Sequence, residues 1–159
     1  MVLGDGEHKT MLTYHDVRVV FQEVPNEVSL AFGICGCQLR CHGCHSPHTW
    51  SAERGTPLTE DVLRDAIQRY RGMISNVLFL GGEWSEGDLI ALLRICREHQ
   101  LKTTLYTGLE SVSGEILAEL SYLKTGRWIP ERGGLASLTT NQRFVCLTTG
   151  QDLTYLFQK

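Results

Sequence analysis

The sequence predicts an α/β fold, a partial and open β/α barrel with mainly parallel strands. The chain has 159 residues, of which 42% are hydrophobic and 21% charged, as expected for one domain with a full core. Segments with helical periodicity alternate with short apolar runs, which favours right-handed β-α-β units with parallel strands. A complete eight-unit barrel takes roughly 200 residues or more, so this chain can close only part of one.

The domain is predicted to begin with two strands. Residues 14–21 and 27–32 are rich in β-branched and aromatic side chains, and Pro25-Asn26 separates them. The polar, glycine-containing residues 1–12 precede them, so we expect a flexible N-terminal end followed by a single domain at 13–159. A cysteine-rich loop follows the second strand.

The next elements are defined by helix caps and apolar periodicity. Thr59 is a candidate cap for a helix that extends to about Tyr70, and a second helix is predicted to begin near Ser85. Between them, the apolar run at 76–80 reads as a buried strand that ends in Gly81-Gly82. The later predicted elements are strands at 102–108 and 144–147 and a short helix at 113–120.

The charge balance excludes several classes of function. A formal net charge of -3 gives no electrostatic footprint for nucleic acid or an anionic membrane. No apolar run approaches the roughly 20 residues that cross a bilayer, and residues 1–8 lack the basic start and apolar centre of a signal peptide. We therefore expect a cytoplasmic protein without a nucleic-acid or membrane partner.

Three cysteines lie close together in the loop after the second strand. Cys37, Cys41 and Cys44 offer three thiolates, which suits a [4Fe-4S] cluster with one iron left open for a small molecule. Zinc is an alternative, because Cys41 and Cys44 form a Cys-x-x-Cys pair with histidines nearby. Those histidines are His42, His45 and His48. Simple redox thiols are a further alternative.

The other cysteines have simpler interpretations. Cys35 could act as a fourth ligand, but its offset of two residues from Cys37 favours a strand-end residue beside the site. Cys96 falls on the apolar stripe of a helix and Cys146 in a strand, where a free cysteine is usually a small core side chain.

A glycine-rich turn follows the strand at 76–80. Gly81 and Gly82 would let a ligand approach the backbone closely, although the same glycines also suit an ordinary strand-to-helix turn. The carboxyl ends of parallel strands meet at one edge of a sheet, where ligands usually bind. We therefore expect the cysteine loop, Gly81-Gly82 and Tyr106, near the end of the next strand, to share this edge.

These residues also carry a family resemblance. The Cys37-x3-Cys41-x2-Cys44 motif, followed by Gly81-Gly82-Glu83, resembles the radical S-adenosylmethionine (SAM) enzymes, and among them the activating enzymes of glycyl-radical proteins. Residues 124–135 and 139–144 are similar to the activating proteins of anaerobic ribonucleoside-triphosphate reductases. The resemblance covers about residues 14–147. It departs from the usual pattern at Trp84, where the family has proline.

The resemblance implies a radical SAM-type barrel and a radical mechanism. The implied iron ligands are Cys37, Cys41 and Cys44, and the implied SAM-binding residues are Gly81, Gly82, Glu83 and Tyr106. Reductive cleavage of SAM would yield a 5'-deoxyadenosyl radical that takes a hydrogen from a glycine of the partner. No catalytic side chain beyond the cluster and the SAM site is implied.

The implied partners are the large glycyl-radical subunit of an anaerobic ribonucleoside-triphosphate reductase and an electron donor such as flavodoxin or a ferredoxin-like protein. Three alternatives stay open at this point. In these alternatives the chain serves another glycyl-radical enzyme, acts on a small molecule as deazapurine synthases do, or is a zinc or iron-sulfur module without catalysis.

Overall fold

A computed structural model describes residues 12–36 and 55–158. In these ranges an eight-stranded sheet has the strand order β3-β1-β2-β4-β5-β6-β7-β8. The elements are β1 (Thr13–Phe21), β2 (Val28–Ile34), β3 (Thr56–Pro57), α1 (Glu60–Arg69), β4 (Asn76–Leu80), α2 (Glu86–Glu98), β5 (Lys102–Tyr106), α3 (Gly114–Leu117), β6 (Tyr122–Thr125), β7 (Arg143–Cys146), β8 (Gln151–Asp152) and a 3-10 helix at Thr154–Phe157.

The sheet is parallel at its centre and antiparallel on both sides. The pairs β2/β4, β4/β5 and β5/β6 are parallel. The pairs β1/β2, β1/β3, β6/β7 and β7/β8 are antiparallel. The α/β prediction is confirmed, but the expectation of mainly parallel strands is wrong outside the centre. There the connections β1–β2, β6–β7 and β7–β8 contain no crossover helix and return the chain antiparallel to its previous strand.

Within the described ranges the sheet is open. Its first and last strands, β3 and β8, each pair with a single neighbour. Both of these edge strands have only two residues. The prediction of an open sheet therefore agrees with the structure, while barrel curvature stays a prediction.

The larger core lies between the helices and one face of the sheet. Alternate strand residues point to this face, and Phe32 and Phe79 stack there with ring centroids 5.8 Å apart. Leu63 of α1 and Leu93 of α2 are fully buried against it. Fully burying one such side chain contributes about 1.5–3 kcal/mol, so this face anchors the helices.

A second, smaller cluster of buried side chains packs on the opposite face of the sheet. Val24, from the β1–β2 connection, and Phe144 of β7 are fully buried there. Phe157 packs on Phe144 at 5.2 Å between ring centroids. The Tyr106 hydroxyl donates a hydrogen bond to the carbonyl of Glu23, which ties the end of β5 to the β1–β2 connection.

A buried carboxylate joins the amino ends of the central strands. Glu27 accepts hydrogen bonds from Lys102 Nζ at 2.8 Å, Ser75 Oγ at 2.6 Å and Tyr122 Oη at 2.9 Å. Burial alone would raise the pKa of Glu27, but these donors and the Lys102 charge lower it below its ordinary value of 4.5. The carboxylate is therefore held in its charged form.

Most predicted elements are confirmed with small shifts of their ends. Thr59 caps α1 by accepting a hydrogen bond from the Val62 N–H at 3.1 Å, and Ser85 precedes α2. The predicted 113–120 helix is shorter, since α3 ends at Leu117. Leu12, placed in the predicted flexible end, is fully buried, and residues 1–11 lie outside the described ranges.

None of the helices in the described residues is both long and apolar enough to cross a membrane.

Candidate functional site

A cavity of about 380 Å³ opens at the carboxyl edge of the parallel strands. It lies where β2, β4 and β5 end, with β1 and β6 on either side. Its lining residues are His15, Asp16, Arg18, Gly33, Ile34, Leu80, Gly81, Glu83, Trp84, Tyr106, Thr107, Gly108 and Lys124. The cavity therefore occupies the edge that the sequence predicts for ligand binding.

The turn after β4 forms one wall of the cavity. Gly81 and Gly82 have φ angles of 110° and 116°, which L side chains rarely adopt. A Cβ on Gly81 would stand 2.7 Å from Cη2 of Trp84, because the indole ring folds back over this glycine. Trp84, which replaces the expected proline, thus forms part of the cavity wall and leaves no room for a larger residue at position 81.

Glu83 brings a buried carboxylate to this wall. Its Oε1 atom is inaccessible to solvent and has no hydrogen-bond partner among the described residues. Burial raises the pKa of Glu83, and the hydrogen bonds from its own backbone N–H and from Thr107 offset only part of that rise. A buried oxygen without a donor costs free energy, so this position suits a ligand that brings a hydrogen-bond donor or a positive charge.

The two strands that flank the cavity, β1 and β6, each contribute a basic side chain to its lining. Arg18 of β1 forms an ion pair with Asp16, and its side chain is 58% exposed. Lys124 Nζ of β6 lies 5.7 Å from the ring centroid of Tyr106. Burial raises the pKa of the Tyr106 hydroxyl, and the Glu23 charge adds to the rise, so the ring forms a neutral part of the wall.

The proposed cysteine ligands lie outside the described residues, but the chain on either side of them is placed. β2 ends at Ile34 in the cavity wall, and the Cys35 N–H donates to the Thr13 carbonyl at 2.8 Å. On the other side of the cysteines, a Cβ added to Gly55 would lie 2.7 Å from Cys35 Sγ. Cys35 and Gly55, which flank the segment with the cysteines, therefore lie close together at the carboxyl end of β2.

The remaining cysteines agree with their structural interpretation. Cys35 is fully buried directly after β2 and does not line the cavity. Cys96 is fully buried in α2, where burial raises the pKa of its thiol. Cys146 is half-buried and pairs with Tyr122 at the amino end of β6, far from the cavity. Within the described ranges no cluster of His, Cys, Asp or Glu is arranged to hold a metal ion.

Only some of the predicted SAM-binding residues line the same cavity. Gly81, Glu83 and Tyr106 line one cavity, whereas Gly82 lies behind the wall, where a Cβ would stand 3.5 Å from Leu89 Cδ1. Sequence reasoning missed the basic side chains of β1 and β6. Alternation along a strand signals that Lys124 shares a face with Tyr122, but only the strand order shows that this face meets the cavity.

Comparison with known proteins assigns the family. A sequence family described as a 4Fe-4S single cluster domain matches residues 28–128, more than half of the chain. The chain belongs to this family. The matched region of the 4Fe-4S single cluster domain runs from β2, across the three cysteines and the Gly81 turn, to just beyond β6.

Individual relatives point in the same direction. The chain is 35% identical over 78 residues to a pyruvate formate-lyase-activating enzyme of Clostridium pasteurianum, covering 45% of this chain and 33% of that protein. It is 38% identical over 79 residues to the Streptococcus mutans enzyme of the same name, covering 45% and 30%. It is also 33% identical over 86 residues to a 7-carboxy-7-deazaguanine synthase of Hyperthermus butylicus, covering 54% and 31%.

The chain spans about a third of the length of these curated relatives. The family and the activating-enzyme relatives support a [4Fe-4S] cluster and SAM as the cofactors. The described residues fit this pair of cofactors, because Glu83, whose carboxylate has a buried oxygen without a hydrogen-bond partner among them, lines a cavity at the carboxyl end of β2.

Proposed function

We propose that this protein is a radical SAM activase that generates a glycyl radical on an anaerobic ribonucleoside-triphosphate reductase. The observation that carries the proposal is the position of Glu83. Glu83 lines the cavity and has a buried oxygen without a hydrogen-bond partner among the described residues, and Ile34, three residues before Cys37, lines the same cavity. Membership of the 4Fe-4S single cluster domain family supports a cluster beside that cavity.

In this proposal the wall formed by Gly81 and Glu83 binds the methionine end of SAM. Glu83 accepts hydrogen bonds from the ligand's ammonium group, which removes the cost of its buried, unpaired oxygen. Gly81 has no side chain of its own, so the ligand approaches the turn beside the Trp84 indole ring. Cys37, Cys41 and Cys44 would hold three irons of the cluster and leave the fourth for SAM.

The bound [4Fe-4S] cluster and SAM would supply the radical chemistry, which is reductive cleavage of SAM followed by removal of a hydrogen atom from a glycine of the partner. The chain's own residues hold the cofactors in position and shield them from solvent. Trp84 covers the turn, and Tyr106 closes the cavity toward the filled face of the sheet. This side of the cavity excludes water from the reacting atoms.

The choice of partner rests on two features. The cavity opens at the carboxyl edge of the central strands of an open sheet, an arrangement that suits entry of a loop from another protein. The segments at 124–135 and 139–144 resemble the reductase activators, and β6 brings the first of them to the cavity through Lys124. A protein substrate with an accessible glycine loop fits this arrangement.

The test is anaerobic incubation of the reduced protein with SAM and the candidate reductase. Electron paramagnetic resonance should detect a glycyl radical on the reductase, and 5'-deoxyadenosine should form in parallel. Omitting SAM or the reductant is the control and should abolish both. A reductase that stays free of radical while 5'-deoxyadenosine accumulates would contradict the proposed substrate.

A small-molecule substrate is the second candidate. The similarity to a 7-carboxy-7-deazaguanine synthase over 86 residues favours it, because that alignment covers more of this chain than either activating enzyme does. SAM cleavage that is stimulated by small deazapurine-like compounds but not by the reductase would favour this candidate. A colourless, zinc-loaded protein after anaerobic purification would instead support a module without catalysis.

A further inference from the structure

Position 84 carries an aromatic ring where the family's usual pattern has proline. Trp84 lines the cavity together with its neighbour Glu83 and with Gly81. The Cη2 and Cζ3 atoms of the indole ring would lie 2.7 Å and 3.2 Å from a Cβ added to Gly81, so the six-membered part of the ring covers this glycine. A ligand that approaches the turn after β4 therefore meets the indole ring.

The ring belongs to a fixed part of the wall. Trp84 is half-buried and packs against the larger core. The residue before it, Glu83, accepts a hydrogen bond from Thr107, and the residue after it, Ser85, donates its N–H to the Gly82 carbonyl at 3.0 Å. Because the ring is already held in place, a ligand that contacts it pays little conformational entropy for ordering this side chain.

The two aromatic rings of the cavity, Trp84 and Tyr106, differ in their partners. The face of an aromatic ring attracts cations within about 6 Å of its centroid. Lys124 Nζ lies 5.7 Å from the centroid of Tyr106, so that ring has a cation from the chain itself. Among the described residues no Lys or Arg side chain is placed over the Trp84 ring in this way. The indole ring is thus available to a cation that a ligand brings.

SAM carries two positive charges in its methionine end, one on the ammonium group and one on the sulfonium sulfur. Only two methylene groups separate the α-carbon from the sulfur, so the two charges stay close together. With the ammonium group on Glu83, the sulfonium group has to lie beside the same turn. Trp84 is the next residue of that turn, and tryptophan attracts cations more strongly than any other aromatic side chain.

We propose that the Trp84 indole ring binds the sulfonium charge of SAM by a cation–π contact and thereby selects SAM over neutral thioethers. The inference rests on the proposed function, because that function places the methionine end of SAM at Gly81 and Glu83. Methionine, the thioether that remains after cleavage, carries no charge on sulfur. The ring therefore favours the intact cofactor over this product.

The experiment compares SAM with S-adenosylhomocysteine, the neutral thioether that lacks the methyl group on sulfur. Anaerobic equilibrium dialysis measures both dissociation constants on the full-length protein with its cluster reconstituted and without reductant, so that SAM stays intact. Trp84→Leu should raise the dissociation constant of SAM roughly 5-fold to 30-fold and that of S-adenosylhomocysteine less than about twofold. Trp84→Phe should give an intermediate value for SAM. Trp128→Leu is the matched control, because Trp128 is also half-buried but does not line the cavity.

Fluorinated tryptophans at position 84 test the contact without changing the shape of the side chain. Ring fluorines withdraw electron density from the ring face, so each added fluorine should weaken SAM binding further and leave S-adenosylhomocysteine binding unchanged. Iron content and melting temperature show that each variant is folded. Equal losses for the two ligands, or a SAM affinity that Trp84→Leu leaves unchanged or increases, would overturn the contact.

The outcomes for this inference and for the proposed function can be told apart. Wild-type protein that does not bind SAM refutes both of them. A preference for SAM that depends on Trp84, in a protein that forms no glycyl radical on the reductase, contradicts the proposed partner while the cation–π contact stands.

Discussion

Replacing Glu83 by glutamine should stabilise the folded protein and weaken its ligand site at the same time. The Glu83 carboxylate lies in the cavity wall next to Gly81, and its Oε1 atom has no hydrogen-bond partner within the described chain. Leaving a buried polar group unsatisfied costs about 1–3 kcal/mol. Glutamine keeps the shape but removes the charge, so we expect a gain of about 1 kcal/mol at neutral pH, or a melting temperature higher by roughly 2–4 °C.

The pH dependence of this gain follows from the direction of the pKa shift. Burial raises the pKa of Glu83 in the folded protein above its ordinary value of 4.5. Its stabilising contribution is therefore complete in acid, where the group is protonated, and is lost as the pH rises through the folded-state pKa. The melting-temperature difference between Glu83→Gln and wild type should be small near pH 4 and largest near pH 8.

Ligand binding should change in the opposite direction. A hydrogen bond between a carboxylate and an ammonium group contributes about 1.5–3 kcal/mol, so Glu83→Gln should raise the SAM dissociation constant between about 10-fold and 150-fold. Anaerobic equilibrium dialysis with labelled SAM measures it. Glu110→Gln, an exposed carboxylate at the same edge, is the control and should change neither quantity. A lower melting temperature at pH 8 together with unchanged SAM affinity would refute this role of Glu83.

Three other substitutions test separate parts of the molecule. Glu27→Ala should destabilise the fold by about 3 kcal/mol, roughly 1 kcal/mol for each lost hydrogen bond. The pKa of Glu27 is lowered in the folded state, so this loss of stability should become smaller below about pH 4.5. Chemical denaturation at several pH values measures it. Gly81→Ala should impair folding or SAM binding, because the added Cβ would collide with the Trp84 indole ring and the φ angle at this position is positive. Gly87→Ala in α2 is the control. Its Cβ would enter open space, so thermal unfolding should show no change or a gain of up to about 1 kcal/mol. Cys41→Ala should abolish SAM cleavage and Cys146→Ala should retain it, as measured by 5'-deoxyadenosine; a fully active Cys41→Ala protein would refute the ligand assignment.

The elements that the sequence predicts well are those with local signals. β4 matches its predicted range of 76–80 because an apolar run meets two glycines there. β6 was missed, since Tyr122–Thr125 mixes apolar and basic residues and becomes a strand only by pairing with β5 and β7. The helix predicted to reach Leu120 ends early because the N–H groups of its last residues donate to carbonyls three positions back, which tightens the final turn.

The residues of the site also differ in whether a local sequence signal predicts them. Gly81 and Glu83 were predictable because a strand, a glycine turn and a helix cap follow one another within a few residues. Arg18 and Lys124 were not, because they meet the cavity only through the order of β1 and β6 in the sheet. Their placement depends on long-range pairing, for which the sequence carries no local signal.

The short strands at the two sides of the sheet have a consequence for the behaviour of the protein in concentrated solution. A sheet left open for another protein exposes backbone N–H and C=O groups that can pair with a second copy and start aggregation. Here each outer strand has two residues, against four to nine in the strands between them, and one contains Pro57, which has no N–H to donate. Asp152 places a charge on the other outer strand. The chain can thus keep an open sheet while offering little backbone for unwanted strand pairing.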